Sequence, residues 1–424
     1  MTHFGIICPV ATGHLNPMTT LGHELKQRGH RVTLFGIPDA RAKTLAAGLE
    51  FCVIGEREFP AGSSAASFAE LGKLSGLAAL KYTITLFQQL TVTILREAPN
   101  AISAAGVELL LVDQTSFGGG TVADFLKLPF ISVACALMLN RETGIPPINS
   151  NWSYNPAWWA QLRNQLGYRL LSRITKPVVN TVAQYRQEWQ LPPHLEPNDT
   201  YSKLAQISQQ PAEFEFPRQE LPQCFHFTGP YSRPDSREPA DFPFEQLTGQ
   251  PLIYASMGTL QNKLIGVFEN IAQACVGLDA QLVIALGGGN PASLPNLPGS
   301  PLVVGYAPQL ELLQKATLTI THAGMNTALE SLSNGVPMVA IPIANDQPGV
   351  AARITWTGTG EVISLPKLTS SRLQVAIEKV LTEDAYKQNA TRLQAAIRRA
   401  GGVSRAADIV EQVAQTGQPV LAQT

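Results

Sequence analysis

The sequence predicts an α/β protein built from two Rossmann-like, doubly wound domains that face each other across a cleft. Three observations carry that prediction. Short apolar or β-branched runs alternate with helix-period stretches, the pattern of β-α-β units in a parallel sheet. The alternation occurs twice, on either side of a Pro-, Asp- and Ser-rich segment at 230–251 that reads as a linker. Finally, 424 residues exceed what one ordinary hydrophobic core holds.

The first half opens with a strand expected at Phe4 to Cys8, followed by a loop holding Gly13 and His14. A helix is expected from about Asn16 to Arg28, stopped by Gly29, and then a strand at Arg31 to Gly36. Further strands are expected at Leu109 to Val112 and Phe130 to Cys135, with a helix between them. After the linker the pattern restarts. A strand at Leu252 to Ser256 runs into a turn at Gly258, a helix near Leu264 to Val276, and strands at Gln281 to Ala285 and Leu302 to Val304. The expected division is a first domain at 1–232, a linker at 233–250, a second domain at 251–404, and a helical tail at 405–424 able to cross back to the first domain. In such domains ligands bind at the loops following the C-terminal ends of the strands. His14 and the unit Tyr306 to Gln347 therefore belong to the two lips of one cleft.

Composition removes several classes of function. With 31 basic and 32 acidic residues the net charge is −1, so nothing attracts nucleic acid in general. The charged fraction of 15% is low for a globular chain, while the 45% hydrophobic content is ordinary. Cys8, Cys52, Cys135, Cys224 and Cys275 are widely spaced and form no CxxC, which indicates neither a disulfide framework nor a zinc site. The N-terminus lacks a basic segment before its short apolar run, and no stretch reaches the length of a membrane span. A cytoplasmic protein is expected.

The unit from Tyr306 to Gln347 carries the most chemistry. A β-branched run reaches Thr321, passes through Gly324 and becomes a helix with Met325, Leu329 and Leu332 at helical spacing, stopped by Gly335. The N-terminus of such a helix offers unpaired N–H groups and the positive end of a dipole, which suits a phosphate. Asn326 and Thr327 stand in its first turn and His322 just before it, together forming a diphosphate cradle. Glu330, one turn beyond Asn326, can accept from a ribose diol. Tyr306 offers a face for a base, and Asp346 with Gln347 offers acceptors and an amide to a polyol. Taken singly, each has a plainer reading as a helix cap or a solvated side chain.

The ordered set Tyr306-Ala307-Pro308-Gln309, Thr321-His322-Ala323-Gly324-Met325-Asn326-Thr327, Glu330-Ser331, Gly335-Val336-Pro337 and Asp346-Gln347 resembles the signature of family 1 UDP-dependent glycosyltransferases, which have the two-domain GT-B fold. The resemblance implies that Tyr306 stacks on uracil, that Gln309 helps hold the base and that Glu330 takes the ribose. It further implies that His322, Asn326 and Thr327 take the diphosphate, and that Asp346 and Gln347 bind the sugar, with a lean towards glucose. Ser256, Gly258 and Thr259, in Ala255-Ser256-Met257-Gly258-Thr259, resemble the family's turn against donor phosphates and sugar. Tyr306 and Met325 stand where the plant form has Trp. The run from Asp346 to Arg353 is similar to bacterial carotenoid (zeaxanthin) glucosyltransferases, a branch shared with macrolide and flavonoid enzymes. The first domain would then bind the acceptor and the second the nucleotide sugar.

Transfer to an alcohol needs a base, and His14 at the end of the first βα loop is suited to that role. Asp113, at the end of a strand, can orient the ring and stabilise its protonated form. Both map onto the family's His-Asp pair. The expected reaction is a direct inverting displacement by a monomer with no metal or other cofactor, since no DxD motif is present. Glu56-Arg57-Glu58 and Glu213-Phe214-Glu215 read as surface charge, and His3, His23, His30, His194 and His226 as structural or exposed.

A lipophilic acceptor fits, without following from, the segment Trp152 to Lys176, which holds three Trp, four basic residues and no acid. It reads as an apolar acceptor lid or a membrane-surface helix. Arg169 and Arg173 fall beside Leu162 and Leu166 and not opposite them, which favours a packed lid with snorkelling arginines. The stretch Ala78 to Leu95 reads as core or as a pocket wall. Other classes remain open on sequence: a UDP-sugar epimerase of similar fold, or a noncatalytic nucleotide-sugar binding protein. A Rossmann oxidoreductase lacks support, because the glycines at 287–289 do not give the dinucleotide spacing.

Overall fold

Two parallel sheets organise the chain, and the computed structural model describes all of it except residues 72, 73, 75, 233–239, 259–264, 423 and 424. The first sheet holds β1 (His3–Ile7), β2 (Arg31–Gly36), β3 (Glu50–Val53), β4 (Leu109–Asp113), β5 (Phe130–Ala134), β6 (Gln206–Ser208) and β7 (Phe225–Phe227). Its order is β3-β2-β1-β4-β5-β6-β7. The strands are connected through α1 (Thr12–Gln27), α2 (Arg41–Ala46), α3 (Ser63–Leu71), α4 (Gly76–Ala105), α5 (Gly119–Leu126) and α6 (Trp158–Glu188). The second sheet, in the order β10-β9-β8-β11-β12-β13, holds β8 (Leu252–Ser256), β9 (Gln281–Ala285), β10 (Leu302–Val304), β11 (Ala316–Thr321), β12 (Met338–Ala340) and β13 (Gly360–Val362). It is served by α7 (Ile265–Cys275), α8 (Gln309–Leu313), α9 (Met325–Ser333), α10 (Gln347–Thr357), α11 (Ser370–Thr382) and α12 (Asp384–Ala400).

In each sheet the chain order reverses at one place, between β1 and β4 and between β8 and β11. Crevices open at such reversals, because successive crossovers leave on opposite faces. The N-terminus of α1 and the end of β4 meet at the first, where Ile7 pairs with Val112. The turns after β8 and β11 meet at the second, where Thr321 pairs with Ser256.

The first helix begins at Thr12, four residues before the expected Asn16. Pro17 suggests a later start, since proline is most at home in the first turn. Here it lies inside the helix and leaves the carbonyl of Gly13, four residues back, without an intrahelical partner. That carbonyl accepts instead from Asn326 Nδ2 at 3.0 Å, across the cleft. His14 consequently stands in a helical turn rather than a loop.

The domains share an apolar core in which Leu137 and Phe214 of the first domain pack with Met325, Leu329, Val350 and Ile354 of the second. Glu215, read as surface charge, is buried and paired with Arg353 of α10 and with Arg218. At the same interface a Cβ on Gly349 would lie 2.2 Å from the Ile148 carbonyl oxygen. Gly349→Ala is expected to lower stability by about 1–3 kcal/mol, as overpacking does. An unchanged thermal midpoint would refute the close packing.

The last helix, α13 (Gly402–Thr416), returns to the first domain. Its Ile409, Val410 and Val413 join the core of Leu21 and Leu25. Arg28 donates to Asp408 and Glu411, each at 2.7 Å. Beyond the helix, the N–H of Val420 donates to the Leu204 carbonyl at 2.9 Å. No helix among the described residues is long and apolar enough to cross a membrane.

Candidate active site

One cavity of about 1560 Å³ runs along the cleft, and its wall includes His14 together with Ser256, Gly258, Tyr306, Ala307, Gln309, His322, Gly324, Met325, Asn326, Thr327, Glu330, Asp346 and Gln347. Asp113 stands directly behind His14. Thr259 lies outside the described residues.

On the first lip, His14 Nδ1 lies 2.9 Å from Asp113 Oδ2. Asp113 is almost fully buried, and its other oxygen accepts from the Thr115 N–H at 2.8 Å and the Thr115 hydroxyl at 2.5 Å. An ionised carboxylate only accepts, so Nδ1 carries the proton and Nε2 is left as the basic nitrogen. Burial alone pushes the His14 pKa down, but the charge and hydrogen bond of Asp113, aided by Asp346, prevail and raise it. Burial likewise opposes ionisation of Asp113, yet His14 and the Thr115 bonds hold its pKa below the ordinary value. Thr115, which clamps this acid, is a site residue absent from the sequence-based expectations. An Asp followed two residues later by Thr at a strand end is the turn pattern that signals it.

On the second lip, Ala323 adopts a left-handed φ of 63° and swings β11 into α9. Such a conformation is costly for a residue with a side chain and is held in place by its surroundings. The turn aims the N-terminus of α9 into the cavity. Gly324 caps that helix without a side chain. The His322 ring is flanked by glycines: a Cβ would come within 2.6 Å of it from Gly258 and 2.5 Å from Gly324. Burial, partly opposed by the Ser256 backbone, pushes the His322 pKa down to about 4. The ring is therefore neutral near pH 7 and can donate one N–H. Gly258 also has a φ of 72°, which excludes a side chain twice over. Gly258→Ala is expected to raise KM for the nucleotide sugar by about tenfold or more, since it costs roughly 1 kcal/mol of backbone strain and displaces the ring. A KM within twofold of the parent would contradict this.

Glu330 is buried, and its Oε2 accepts from Gln309 Nε2 at 2.5 Å. Gln309 Oε1 in turn accepts from the Tyr254 hydroxyl at 3.0 Å. Both polar atoms of the Gln309 side chain are thus engaged, so it orients Glu330; the sequence did not reveal Tyr254 behind it. Tyr306, 60% exposed, leans over Gly288, where a Cβ would be 3.1 Å from the ring. Gln347 is buried, with Oε1 accepting from the N–H groups of Ile343 and Ala344 at 2.8 and 2.9 Å. Only its amide nitrogen remains to meet a ligand. Asp346 Oδ2 accepts from the Leu137 N–H at 3.1 Å, and burial raises its pKa. Met325 packs chiefly into the interdomain core. Asn326 spans the cleft: besides its bond to Gly13, its Oδ1 accepts from Gln209 Nε2 at 2.6 Å. Gln209 carries no sequence signal.

The cavity continues into the first domain as an apolar chamber. Helix α4 contributes Ile84, Phe87 and Leu90, and α6 contributes Leu171, Val178 and Val182; the stretch Ala78 to Leu95 is thus divided, its middle lining the cavity and its end, Ile94 and Leu95, belonging to the core. His194, expected to be structural or exposed, also lines it. Burial pushes the His194 pKa down. The packed-lid reading of Trp152 to Lys176 fails for the outer face of α6, where Trp158, Trp159, Leu162, Leu166 and Leu170 remain exposed. A helix at the edge of a domain has one face to pack, and here that face is the one toward the chamber.

Two parallel-sheet domains that close one cavity at their reversal points have the architecture of the GT-B class. The chain belongs to the UDP-glucoronosyl and UDP-glucosyl transferase family, whose model matches residues 74–400, and it is a UDP-glycosyltransferase. It is 36% identical to a zeaxanthin glucosyltransferase of Pantoea ananas, over 99% of this chain and 98% of that one. A demethyllactenocin mycarosyltransferase of Streptomyces fradiae is 27% identical over 97% of this chain and 86% of its own. Among solved structures, the calicheamicin glycosyltransferase CalG4 superposes with a TM-score of 0.74 at 22% identity, covering 99% of this chain and 100% of that one. A nucleotide-sugar donor and a small-molecule acceptor are therefore its substrates.

Proposed function

We propose that this enzyme transfers glucose from UDP-glucose to a hydroxyl of a lipophilic small molecule, such as a carotenoid, flavonoid or other phenol, giving a β-O-glycoside by inversion without a metal ion. The observation that carries the reading is that the His14–Asp113 pair and the cluster of His322, Asn326, Thr327 and Glu330 border the same cavity. In this scheme His14 Nε2 takes the acceptor proton as the acceptor oxygen attacks the anomeric carbon. The bond from that carbon to the diphosphate breaks on the opposite face, and UDP leaves with the bonding pair. Asp113 stabilises the imidazolium. The α9 N-terminus and the His322 N–H meet the charge on the leaving diphosphate, a task that otherwise falls to a cation.

Glu330, oriented by Gln309, would hold the ribose and Tyr306 the base, with Asp346 and the Gln347 amide on the sugar. The apolar chamber supports a lipophilic acceptor, as does similarity to an enzyme named for zeaxanthin. The test is incubation with UDP-glucose and a panel of phenols, flavonoids, sterols and hydroxycarotenoids, with and without chelator, read by mass spectrometry and by NMR of the anomeric centre. Absence of any glycoside, an α-linkage, or loss of product with chelator would each overturn the corresponding part.

A further inference from the structure

The outer face of α6 is the large surface feature that neither the donor site nor the acceptor chamber uses. Trp158, Leu162, Leu166 and Leu170 recur there every fourth residue, with exposures of 76%, 46%, 54% and 58%, and Trp159 stands beside them. Single exposed apolar residues are ordinary, but a continuous stripe marks a surface that is covered in use. Arg169 and Arg173 lie within the same stripe, roughly 20° and 60° around the helix from Trp158. The Arg163 guanidinium lies 4.7 and 5.7 Å from the ring centroids of Trp152 and Trp159 and steadies them. From Thr143 to Gln187 the chain has five basic residues and no acidic one.

We propose that this face docks the enzyme on an anionic lipid surface. Trp158, Trp159 and the three leucines enter the interfacial zone, while Arg169 and Arg173 extend their charged ends to lipid phosphates. Charge decides the occupant: a second copy docking through the same face would oppose arginine to arginine, whereas anionic headgroups complement it. The opposite face of the same helix lines the apolar chamber through Leu171 and Val178. Docking therefore puts a wall of that chamber next to the phase in which a lipophilic alcohol is dissolved. Only this consequence rests on the proposed acceptor class; the docking itself does not.

The test is co-sedimentation of the full chain with mixed phosphatidylglycerol and phosphatidylcholine vesicles, against vesicles of phosphatidylcholine alone. Binding to the anionic vesicles is expected, at least about tenfold weaker on the neutral ones or at high salt. The Leu162→Ser/Leu166→Ser/Leu170→Ser and Arg169→Gln/Arg173→Gln variants should each lose about tenfold in vesicle affinity. Both should retain the parent's circular dichroism and its transfer to a water-soluble phenol. No sedimentation with anionic vesicles, unchanged binding by these variants, or a dimer in analytical ultracentrifugation that the serine variant dissolves would overturn the proposal. Because sedimentation reads no transfer, its failure leaves the proposed reaction standing, and failure of the reaction leaves docking standing.

Discussion

His14→Ala is expected to lower kcat by about 10²- to 10⁴-fold, the range for removal of a positioned general base, while the KM for UDP-glucose changes little. In the proposed scheme the donor is held by the cluster on the other domain, so its contacts survive the substitution. Asp113→Asn tests the partner more sharply. At present the Asp113 carboxylate and its hydrogen bond raise the His14 pKa against burial. Without that charge the pKa must fall. The acid limb of the rate profile, where His14 loses its proton to become a base, should then shift to lower pH. At the same time the plateau should drop, because the imidazolium formed during transfer is no longer stabilised. A limb that stays in place or moves to higher pH would show that Asp113 does not control His14. Full activity in His14→Ala would remove the base assignment altogether.

Arg353→Met is expected to cost about 3–5 kcal/mol of stability, the consequence of taking from the buried Glu215 carboxylate its closest charge partner and leaving it only Arg218. Arg353 Nε donates to Glu215 Oε2 at 3.0 Å and Nη2 to Oε1, both residues being almost fully buried. Gln210 Nε2 also donates to Glu215 at 2.7 Å, and the Arg353 guanidinium lies 4.3 Å from the Phe216 ring centroid. Burial favours a neutral Glu215, but the charges of Arg353 and Arg218 prevail and hold its pKa at about 2, against an ordinary value of 4.5. A carboxylate lowered on folding contributes stability above its unfolded pKa and loses it as pH falls through the folded one. Acid should thus weaken the domain interface between about pH 4.5 and 2. Denaturant unfolding at pH 7 and across that window measures both effects. Replacing the pair together, Glu215→Leu with Arg353→Met, should recover only part of the loss, since apolar residues can match a buried ion pair but Arg218, also buried, then loses its carboxylate. A single variant as stable as the parent would mean the pair does not hold the domains.

These two sites differ in how far the sequence exposes them. The residues from Tyr306 to Gln347 proposed to hold the donor fall within one strand-helix-strand unit, where local spacing puts side chains on one helix face or one loop. Their gathering around one cavity follows from that local order. What spacing hides is how they are occupied: Gln309 is held between Tyr254 and Glu330, and Gln347 has its acceptor engaged by its own loop. His14 and Asp113 are 99 residues apart and meet only because β1 and β4 are paired. Glu215 and Arg353 are 138 residues apart, on different domains, and leave no local trace.

The alternation of strands and helices, the α/β class and the two-domain plan are properties of the sequence itself, because hydrophobic period and turn residues act over a few positions. The tertiary structure alone decided that Pro17 sits inside a helix, that Glu215 is buried, and that α6 turns one face to the chamber and leaves Trp158 to Leu170 exposed. Each of these depends on which surface another element covers. A side chain's period says which neighbours share its face, and only packing says what that face meets.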